Sequence, residues 1–222
     1  MIEKRYKNDY DGEFVIIKTT FKDGKKEQER EWIDNPIENT SLNNRACCID
    51  DGHSIQKFPM TRLENHRGGL LSRDKMQLYS SQEIWKKMKA DFTIITTQSQ
   101  LDEIMKENYQ VDNIVYTSAR LCIENPGDFY LIPHCVTLSP AAATVWLACF
   151  DGHKDIYLFG YDSHSEDGTP QDKLIFAIKN IMETYGDVNF HHVSNTKSPD
   201  AWRRCVNLDR LDVNQFVSEC DI

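Results

Sequence analysis

The chain lacks the short motifs that identify the best-known classes of hydrolases and nucleotide-binding proteins. It has no Gly-x-Ser-x-Gly elbow, no His-Glu-x-x-His pair and no spacing that indicates a Cys–His nucleophile pair. Its glycines form neither the GxGxxG fingerprint nor a P-loop. These absences argue against a hydrolase, and a nucleotide site must be sought in less specific patterns.

Paired cysteines are also missing. The seven cysteines are an odd number, and no two of them have the CxxC spacing of a structural zinc site. This argues against both a disulfide framework and a zinc site. Most of the cysteines stand among apolar residues, so we expect reduced, buried thiols in a cytoplasmic protein.

Acidic residues outnumber basic ones, and long hydrophobic runs are scarce. The formal net charge of −9 argues against a protein that holds duplex DNA mainly by neutralising phosphates. The longest uncharged run, residues 129–150, contains prolines and a histidine, so we expect a core strand and a core helix there rather than a membrane span. The first residues are charged and have no apolar segment, so we expect no signal peptide.

The N-terminal part of the chain predicts a β-hairpin. Two strand-like segments flank Asp23 and Gly24, a dipeptide that supplies the positive φ angles of a tight turn. These segments are residues 13–21 and 26–33. The returning strand is highly charged, which is typical of a sheet edge. We therefore expect a hairpin and linker over residues 1–44 and a main domain over residues 45–222.

From residue 45 onward, short apolar segments alternate with amphipathic ones. The segments with strand-like composition are residues 46–49, 75–79, 92–95, 113–116, 129–132, 156–159 and 188–193. Ser80 and Thr97 each precede a Glu or Gln by three residues, as in a capping box, and Thr169 begins an amphipathic segment that Gly186 closes. The alternation predicts an α/β fold, with a Rossmann-like, doubly wound, mostly parallel sheet and the β-hairpin as an N-terminal addition.

The most informative segment is residues 138–162, LSPAAATVWLACFDGHKDIYLFGYD. Ser139 can cap a helix, and residues 141–150 are small, apolar and uncharged, so we expect a helix that is buried on most of its surface. Gly152 suits the C′ position of that helix. Residues 156–159 then predict a strand covered on both faces, and the loop after it lies where open parallel sheets bind ligands.

Gly52, His53 and Ser54 follow the first strand of the alternating region. Glycine lets backbone N–H groups approach a phosphate closely, and Ser54 can cap or donate. The alternative is an ordinary turn between a strand and a helix. The sequence pattern does not decide between ligand contact and an ordinary turn.

Ser139 and Ala141 stand at a helix start made of small residues. Free N–H groups and the positive end of the helix dipole suit an anion at this position. The alternative is that small residues serve only the close packing of helix and sheet.

The loop that begins at Gly160 holds an aspartate and a histidine, Asp162 and His164. An aspartate at a strand end can bind a ribose hydroxyl, hold Mg²⁺ through water or act as a base. His164 can serve as a general base or contact a phosphate. A surface histidine without a function is the more common case.

Two stretches and one loop resemble the bacterial sialyltransferase-like group, which also includes the archaeal 6-hydroxymethylpterin diphosphokinase-like proteins. They are the Ser139 helix start, the stretch Ile156–Asp162 (IYLFGYD) and the Gly-x-Ser loop at Gly52. Residues 90–97 are similar to a strand of that group that ends in aspartate, where this chain has Thr97.

The resemblance implies a Rossmann-like domain that binds a nucleotide or nucleotide-sugar, with or without a bound Mg²⁺ ion. The residues that it places at the ligand are Gly52, His53, Ser54, Ser139, Ala141 and Gly160. It implies that His164, with His191 or His192 as second candidates, is the catalytic base, and that Asp162 binds ribose or a metal. Two departures oppose a direct transfer of activity: Pro140 or Ala141 replaces the usual glycine, and the aspartate expected near Thr97 is missing.

These patterns support one main hypothesis and two alternatives. The first is a transferase with a nucleotide-activated small-molecule donor, either a glycosyltransferase of sialyltransferase-like type or a diphosphokinase-like enzyme. The alternatives are a non-catalytic nucleotide-binding module and a structural or interaction protein on a Rossmann-like scaffold, because fold alone does not decide function. The acceptor is not indicated, and a sheet edge and the hairpin leave a homo-oligomer open.

Overall fold

A computed structural model describes residues 2–8, 13–34, 41, 43–68, 75–135, 137–164 and 168–222. The chain divides into two compact units, Met1–Glu38 and Asn39–Ile222. The division at residue 44 that composition suggested stays a prediction.

The first unit is a three-stranded antiparallel sheet in the order β1-β2-β3. Its strands are β1 (Ile2–Asn8), β2 (Glu13–Lys22) and β3 (Lys25–Asp34). Strands β2 and β3 form the predicted hairpin, and Asp23 and Gly24 have the positive φ angles of its turn, 50° and 74°. Strand β1 was not predicted, because its mixture of charged and apolar residues gives no clear alternation.

The second unit contains an eight-stranded sheet in which all neighbouring strands are parallel. Its strands are β4 (Arg45–Ile49), β5 (Gln77–Ser81), β6 (Phe92–Ile94), β7 (Ile114–Thr117), β8 (Tyr130–Leu131), β9 (Asp155–Phe159), β10 (Asn189–Val193) and β11 (Leu208–Leu211). The order across the sheet is β11-β10-β9-β4-β5-β6-β7-β8. The predicted α/β, Rossmann-like fold class is confirmed.

Helices connect these strands. They are α1 (Met60–Asn65), α2 (Gln98–Lys106), α3 (Tyr109–Asp112), α4 (Ala119–Glu124), α5 (Pro140–Phe150), α6 (Asp172–Thr184) and α7 (Val213–Glu219). Short 3₁₀ helices lie at His53–Ile55, Gln82–Lys86, Pro133–Cys135 and Asp200–Trp202. Strand-to-helix alternation of this kind is what allows a parallel sheet to be covered on its faces.

The order of the strands places a switch point between β4 and β9. From β4 the chain adds β5, β6, β7 and β8 on one side, and it then returns to add β9, β10 and β11 on the other side. The loops that follow β4 and β9 therefore leave neighbouring strands at the same edge of the sheet. In open α/β sheets this is the place where a crevice for ligands forms.

Helix α5 forms as its sequence predicts. The side chain of Ser139 accepts a hydrogen bond from the Ala142 N–H at 3.4 Å, and most residues of the helix are buried. Gly152 follows the helix with φ at 95°, in the left-handed region that favours glycine. The apolar helix therefore lies within the core of the second unit, among residues of β4, β5, β6 and β9.

Neither predicted capping box forms. Thr97 is the N-cap residue of α2, but its side chain makes no capping hydrogen bond. Ser80 lies inside β5, where it is buried and its hydroxyl group lies 3.1 Å from that of Thr93. The segment after β5 is a 3₁₀ helix that starts at Gln82, without a side-chain cap. The two serines at the end of this buried strand suggested a helix start because serine is a preferred N-cap residue.

Strand β11 was also missed. Its four residues, LDRL, include an exposed Asp209 and Arg210 at the edge of the sheet. Charged residues of this kind protect sheet edges from pairing with other chains.

None of the helices in the described part of the chain combines the length and the hydrophobicity that a bilayer crossing needs. Free thiols are present at Cys47, Cys48, Cys122, Cys149, Cys205 and Cys220. The cytoplasmic location inferred from cysteine usage stays a prediction.

Candidate functional site

The loops after β4 and β9 are joined by backbone hydrogen bonds. The Asp50 N–H donates to the carbonyl oxygen of Phe159 at 3.0 Å, and the Gly52 N–H donates to that of Gly160 at 3.0 Å. The pairing of β4 with β9 thus continues beyond the ends of both strands. The predicted Gly52 and Gly160 segments meet at the switch point.

Gly52 and Gly160 leave no space for a side chain. A Cβ added to Gly52 would lie 2.1 Å from the carbonyl oxygen of Gly160, and one added to Gly160 would lie 2.0 Å from that of Asp50. Gly160 also has φ at 85°. Both glycines are therefore required by the close approach of the two loops, whatever ligand they contact.

The Asp162 side chain connects three loops by hydrogen bonds. Its Oδ2 accepts a hydrogen bond from the Ser54 N–H at 2.6 Å, and its Oδ1 accepts one from the Ser194 hydroxyl group at 3.2 Å. Its exposed fraction is only 9%. A carboxylate with both oxygens engaged by protein donors is placed to hold these loops in position.

The start of helix α5 is connected to the same region. Tyr161 is fully buried, and its hydroxyl group donates to the carbonyl oxygen of Ala141 at 3.0 Å. Ser139 stands exposed just before the helix. The structure thus links the segments that contain Gly52, Ala141 and Asp162 into one region.

The two histidines predicted to contact ligand are accessible. His53 and His164 are both exposed, and neither side chain has a hydrogen-bond partner among the described residues. The structure does not bring either imidazole into contact with the Asp162 carboxylate. Both histidines remain free to meet a molecule that arrives at this edge of the sheet.

Some of the backbone donors expected for a phosphate are already used. The N–H groups of Gly52, Ser54 and Ala142 donate to oxygens of Gly160, Asp162 and Ser139, in that order. Within the described residues the His53 N–H has no acceptor. A phosphate at the β4 loop would therefore rely on His53 more than on its two neighbours.

Asp50 is a site residue that the sequence analysis did not select. It directly follows β4, its exposed fraction is 4%, and its Oδ1 accepts hydrogen bonds from the Ser81 hydroxyl group and, at 3.4 Å, from Gln82 Nε2. Burial raises the pKa of this carboxyl group to about 7. An acid that is half protonated near neutral pH can give or take a proton.

A sequence signal for Asp50 existed. It is the first of two aspartates that follow an apolar strand. Gln82, which faces it from the end of β5, has φ at 49°, an uncommon conformation for a residue other than glycine, and such residues gather at functional sites.

The adjacent histidines of β10 have packing roles. His192 is fully buried, its Nδ1 lies 2.8 Å from the Ser198 hydroxyl group, and its ring packs edge-on against Trp202. Burial lowers its pKa to about 4. His191 stacks on Tyr157 with ring centroids 4.7 Å apart. The Asp162 charge and a hydrogen bond with the Tyr161 backbone partly oppose the lowering of the His192 pKa, so His192 borders the β9 loop of the candidate site.

Thr97 stands where the sequence resemblance expects an aspartate, and it is exposed at the start of a helix. Thr97 precedes α2, and its hydroxyl group donates to Gln100 Oε1 at 2.9 Å. No carboxylate replaces the absent one at this position of the chain.

A small cavity of about 150 Å³ lies beside the β4 loop. Its lining is Asp51, Gly52, Ile55, Gln56, Phe58, Met60 and Lys87. Small-molecule sites usually have about 300–1,000 Å³, so a nucleotide would occupy more than this cavity alone. A larger cleft of about 610 Å³ lies elsewhere, between the segment after β5 and helix α2.

The described residues do not fit a metal ion held by the protein. Nowhere in them do three or more His, Cys, Asp or Glu side chains gather as ligands would. Both oxygens of Asp162 already accept hydrogen bonds. Any Mg²⁺ at this edge would depend on phosphates of the bound molecule for its ligands.

Comparison with known proteins gives one structural similarity. No protein-family model matches the chain, and no curated protein matches it. A solved structure of the sialyltransferase CstII from Campylobacter jejuni, in complex with the substrate analogue CMP-3FNeuAc, is similar over 67% of this chain and 79% of that one, with 12% sequence identity and a TM-score of 0.44. The similarity is to a sialyltransferase and not to a diphosphokinase-like protein, and at this level it carries no inference about activity.

Proposed function

We propose that the protein is a transferase that binds a nucleotide-activated donor at the switch point between β4 and β9. One observation carries this proposal: the three segments selected from the sequence are hydrogen-bonded to one another through Gly52–Gly160, Ser54–Asp162 and Tyr161–Ala141. They lie beside Asp50, a buried acid whose pKa is raised to about 7. Ligand-binding loops and an acid–base group at a switch point are typical of an enzyme site.

The donor would lie across the loops. The His53 N–H and the start of α5 near Ser139 and Ala141 offer donors to a phosphate, while Gly52 and Gly160 keep the backbones close. Asp162 would act by holding the Ser54 loop in place, and it would contact a ribose hydroxyl only with lone pairs left over from its two protein hydrogen bonds.

Group transfer would proceed by direct displacement. For a glycosyl donor, an acceptor hydroxyl oxygen attacks the anomeric carbon, the bond from that carbon to the phosphate oxygen breaks, and the nucleotide leaves with the electron pair. The proton of the acceptor passes to a base, for which His164 and Asp50 are the candidates. Backbone N–H donors would also stabilise the negative charge that develops on the leaving phosphate.

The sequence resemblance makes CMP-sugars the first donors to test and ATP the second. Diphosphate transfer from ATP would use the same loops. The acceptor oxygen would attack the β-phosphorus, the bond from that phosphorus to the oxygen of the α-phosphate would break, and AMP would leave with the electron pair.

A non-catalytic nucleotide-binding module is the second candidate. It is favoured by the commitment of both Asp162 oxygens to Ser54 and Ser194, and by the absence of an acid at Thr97. In this case the loops would bind the nucleotide, and loss of His164 or of the Asp50 carboxyl group would leave binding intact.

A thermal-shift panel of CMP, CDP, UDP, GDP and ATP, with CMP-sugar and UDP-sugar donors, tests the proposal. A ligand at 100 times its Kd stabilises the folded state by about 2.7 kcal/mol, which raises the Tm of a domain of this size by roughly 5–11 °C. A shift with one class of nucleotide, together with hydrolysis or transfer of its sugar, supports the transferase. Binding without any turnover supports the binding module, and a flat panel at millimolar concentrations contradicts both.

A further inference from the structure

The hydroxyl group of Tyr79 lies between two close hydrogen-bond acceptors in the core of the second unit. Tyr79 belongs to β5 and is fully buried. Its oxygen lies 2.6 Å from Asp151 Oδ2 and 2.9 Å from His153 Nε2. A third acceptor, Gln77 Oε1, is more distant at 3.4 Å and accepts a hydrogen bond from the Ser41 hydroxyl group. Asp151 and His153 stand in the turn that leads from α5 into β9, which places them near the beginnings of the strands and away from the candidate site.

The tautomer of His153 follows from its other neighbour. Its Nδ1 lies 2.7 Å from the backbone carbonyl oxygen of Asn43, and a carbonyl oxygen can only accept. Nδ1 therefore carries a proton and donates it to Asn43. A neutral imidazole has only one N–H, so Nε2 is then an acceptor that faces Tyr79.

Counting protons shows that one is missing. Tyr79 has a single hydroxyl proton, yet its oxygen lies at hydrogen-bond distance from an aspartate oxygen and from an imidazole acceptor. Both contacts are hydrogen bonds only if a second proton is present on Asp151 or on His153. Otherwise one of two buried acceptors is left without a donor, which is costly inside a protein.

We propose that Asp151, Tyr79 and His153 form a buried proton-binding site, in which a proton on Asp151 completes a chain of hydrogen bonds. In this chain the Asp151 carboxyl group donates to Tyr79, Tyr79 donates to His153 Nε2, and His153 Nδ1 donates to the Asn43 carbonyl oxygen. The chain connects β5, the turn before β9 and the segment before β4. The proposal is independent of the function proposed for the opposite edge.

Burial favours Asp151 over His153 as the proton's location. Burial raises the pKa of Asp151 to about 6 and lowers that of His153 to about 4. The carboxyl group therefore takes the proton first as the pH falls.

The charged and titratable surroundings agree with this location. Cys48 of β4 and Tyr116 of β7 both feel the Asp151 charge, and burial raises the pKa of each, so both are neutral. The neighbouring Lys154 directs its ammonium group to Asp187 at 2.6 Å. Within the described residues no cation forms an ion pair with Asp151 to hold it in the ionised form.

Stability should therefore depend on pH with opposite signs for the two groups. The folded pKa of Asp151 is raised above its ordinary 3.8, so its contribution is complete below that value and is lost as the pH rises through about 6. The folded pKa of His153 is lowered from its ordinary 6.5, so its contribution is present above that value and is lost as the pH falls through about 4. Above pH 6 the Asp151 carboxylate accepts the hydrogen bond of the Tyr79 hydroxyl group, and His153 Nε2 then has no donor.

The Asp151→Asn variant tests the proposal, because an amide group donates to Tyr79 at every pH. We expect the Tm of this variant to exceed that of the wild type by ~2–4 °C at pH 8, where the wild type lacks the proton, and to match it at pH 5. Asp128→Asn is the matched control, since Asp128 is exposed and its side chain has no partner among the described residues. A Tm difference that is the same at both pH values, or a variant that is less stable at pH 8, overturns the proposal.

A spectroscopic measurement on the unmodified protein gives an independent answer if the variant does not fold. In ¹⁵N-histidine-labelled protein, the His153 Nδ1 should remain protonated from pH 5 to pH 8, and Nε2 should stay unprotonated while its shift moves as the Tyr79 donor is lost. A doubly protonated His153 at pH 6 would place the proton on the imidazole and refute the proposed chain.

Discussion

The backbone N–H of Gly52 donates to the carbonyl oxygen of Gly160 at 3.0 Å, and neither glycine has space for a Cβ. This contact fixes the distance between the loops that follow β4 and β9. It connects two short motifs that are more than a hundred residues apart in the sequence. The candidate site depends on it more directly than on any single charged residue.

We predict that Gly52→Ala and Gly160→Ala each lower the free energy of unfolding by about 3 kcal/mol, because each new methyl group overlaps a backbone carbonyl oxygen that cannot move aside. Urea denaturation measures the loss. Gly186→Ala is the matched control, since nothing lies within 4 Å of its added Cβ. Equal effects at all three glycines would show that the loops after β4 and β9 are not in close contact.

Substitutions at Asp162 should separate positioning from ligand contact. Asp162→Asn keeps one oxygen for the Ser54 N–H and offers an amide N–H to Ser194, so we expect a loss below about 1.5 kcal/mol. Asp162→Ala leaves the Ser54 N–H without its acceptor, while the Ser194 hydroxyl group keeps its contact with Thr196, and it should cost about 1–3 kcal/mol. Chemical denaturation gives both values. If Asp162→Asn folds normally but loses all nucleotide binding, the side chain contacts the ligand directly and our positioning role is wrong.

Asp50 should make stability fall as the pH rises through neutrality. Its folded pKa of about 7 is raised above the ordinary 3.8, so its contribution is present below 3.8 and is lost as the pH rises through about 7. Asp50→Asn keeps an oxygen for Ser81 and Gln82 and should remove this part of the pH dependence. Denaturation curves of wild type and variant at pH 5 and pH 8 measure it, and parallel pH profiles would contradict the assignment.

His164→Ala should leave folding unchanged within about 0.5 kcal/mol, because the side chain is exposed. If His164 is the base, turnover should fall by about 10²–10⁴-fold while nucleotide affinity stays the same. Steady-state kinetics and calorimetric titration separate the two effects. His53→Ala serves as a comparison, since we expect it to alter affinity rather than the rate of transfer.

Much of the second unit could be predicted because its elements are apolar and periodic. Helix α5 combines a serine cap, a small apolar sequence and Gly152, and all of these have the predicted local conformation. Strand β9 is apolar and buried, and it ends at the predicted Gly160 loop. Charged edge strands such as β1 and β11 carry no such signal, because their stability comes from pairing with a neighbour.

The site was only partly predictable for a different reason. The patterns indicated which loops follow strands, and the strand order then placed the β4 and β9 loops side by side. Partners such as Ser194 for Asp162, and Ser81 for Asp50, are set by long-range contacts that no local pattern contains. The raised pKa of Asp50 likewise results from burial, which the sequence alone does not specify.

We propose that a nucleotide-activated donor binds at the switch point of the parallel sheet. A two-dimensional ¹H–¹⁵N NMR titration of the full chain with CMP, ATP and a CMP-sugar is the first measurement to make, because it reports binding and its location together. We predict saturable shift changes at the amides of residues 50–54, 139, 141, 142 and 160–164, with little change at the opposite edge around Tyr79 and His153. Changes confined to the cleft between Trp85 and Tyr109, or no saturable change with any of these ligands, would contradict it.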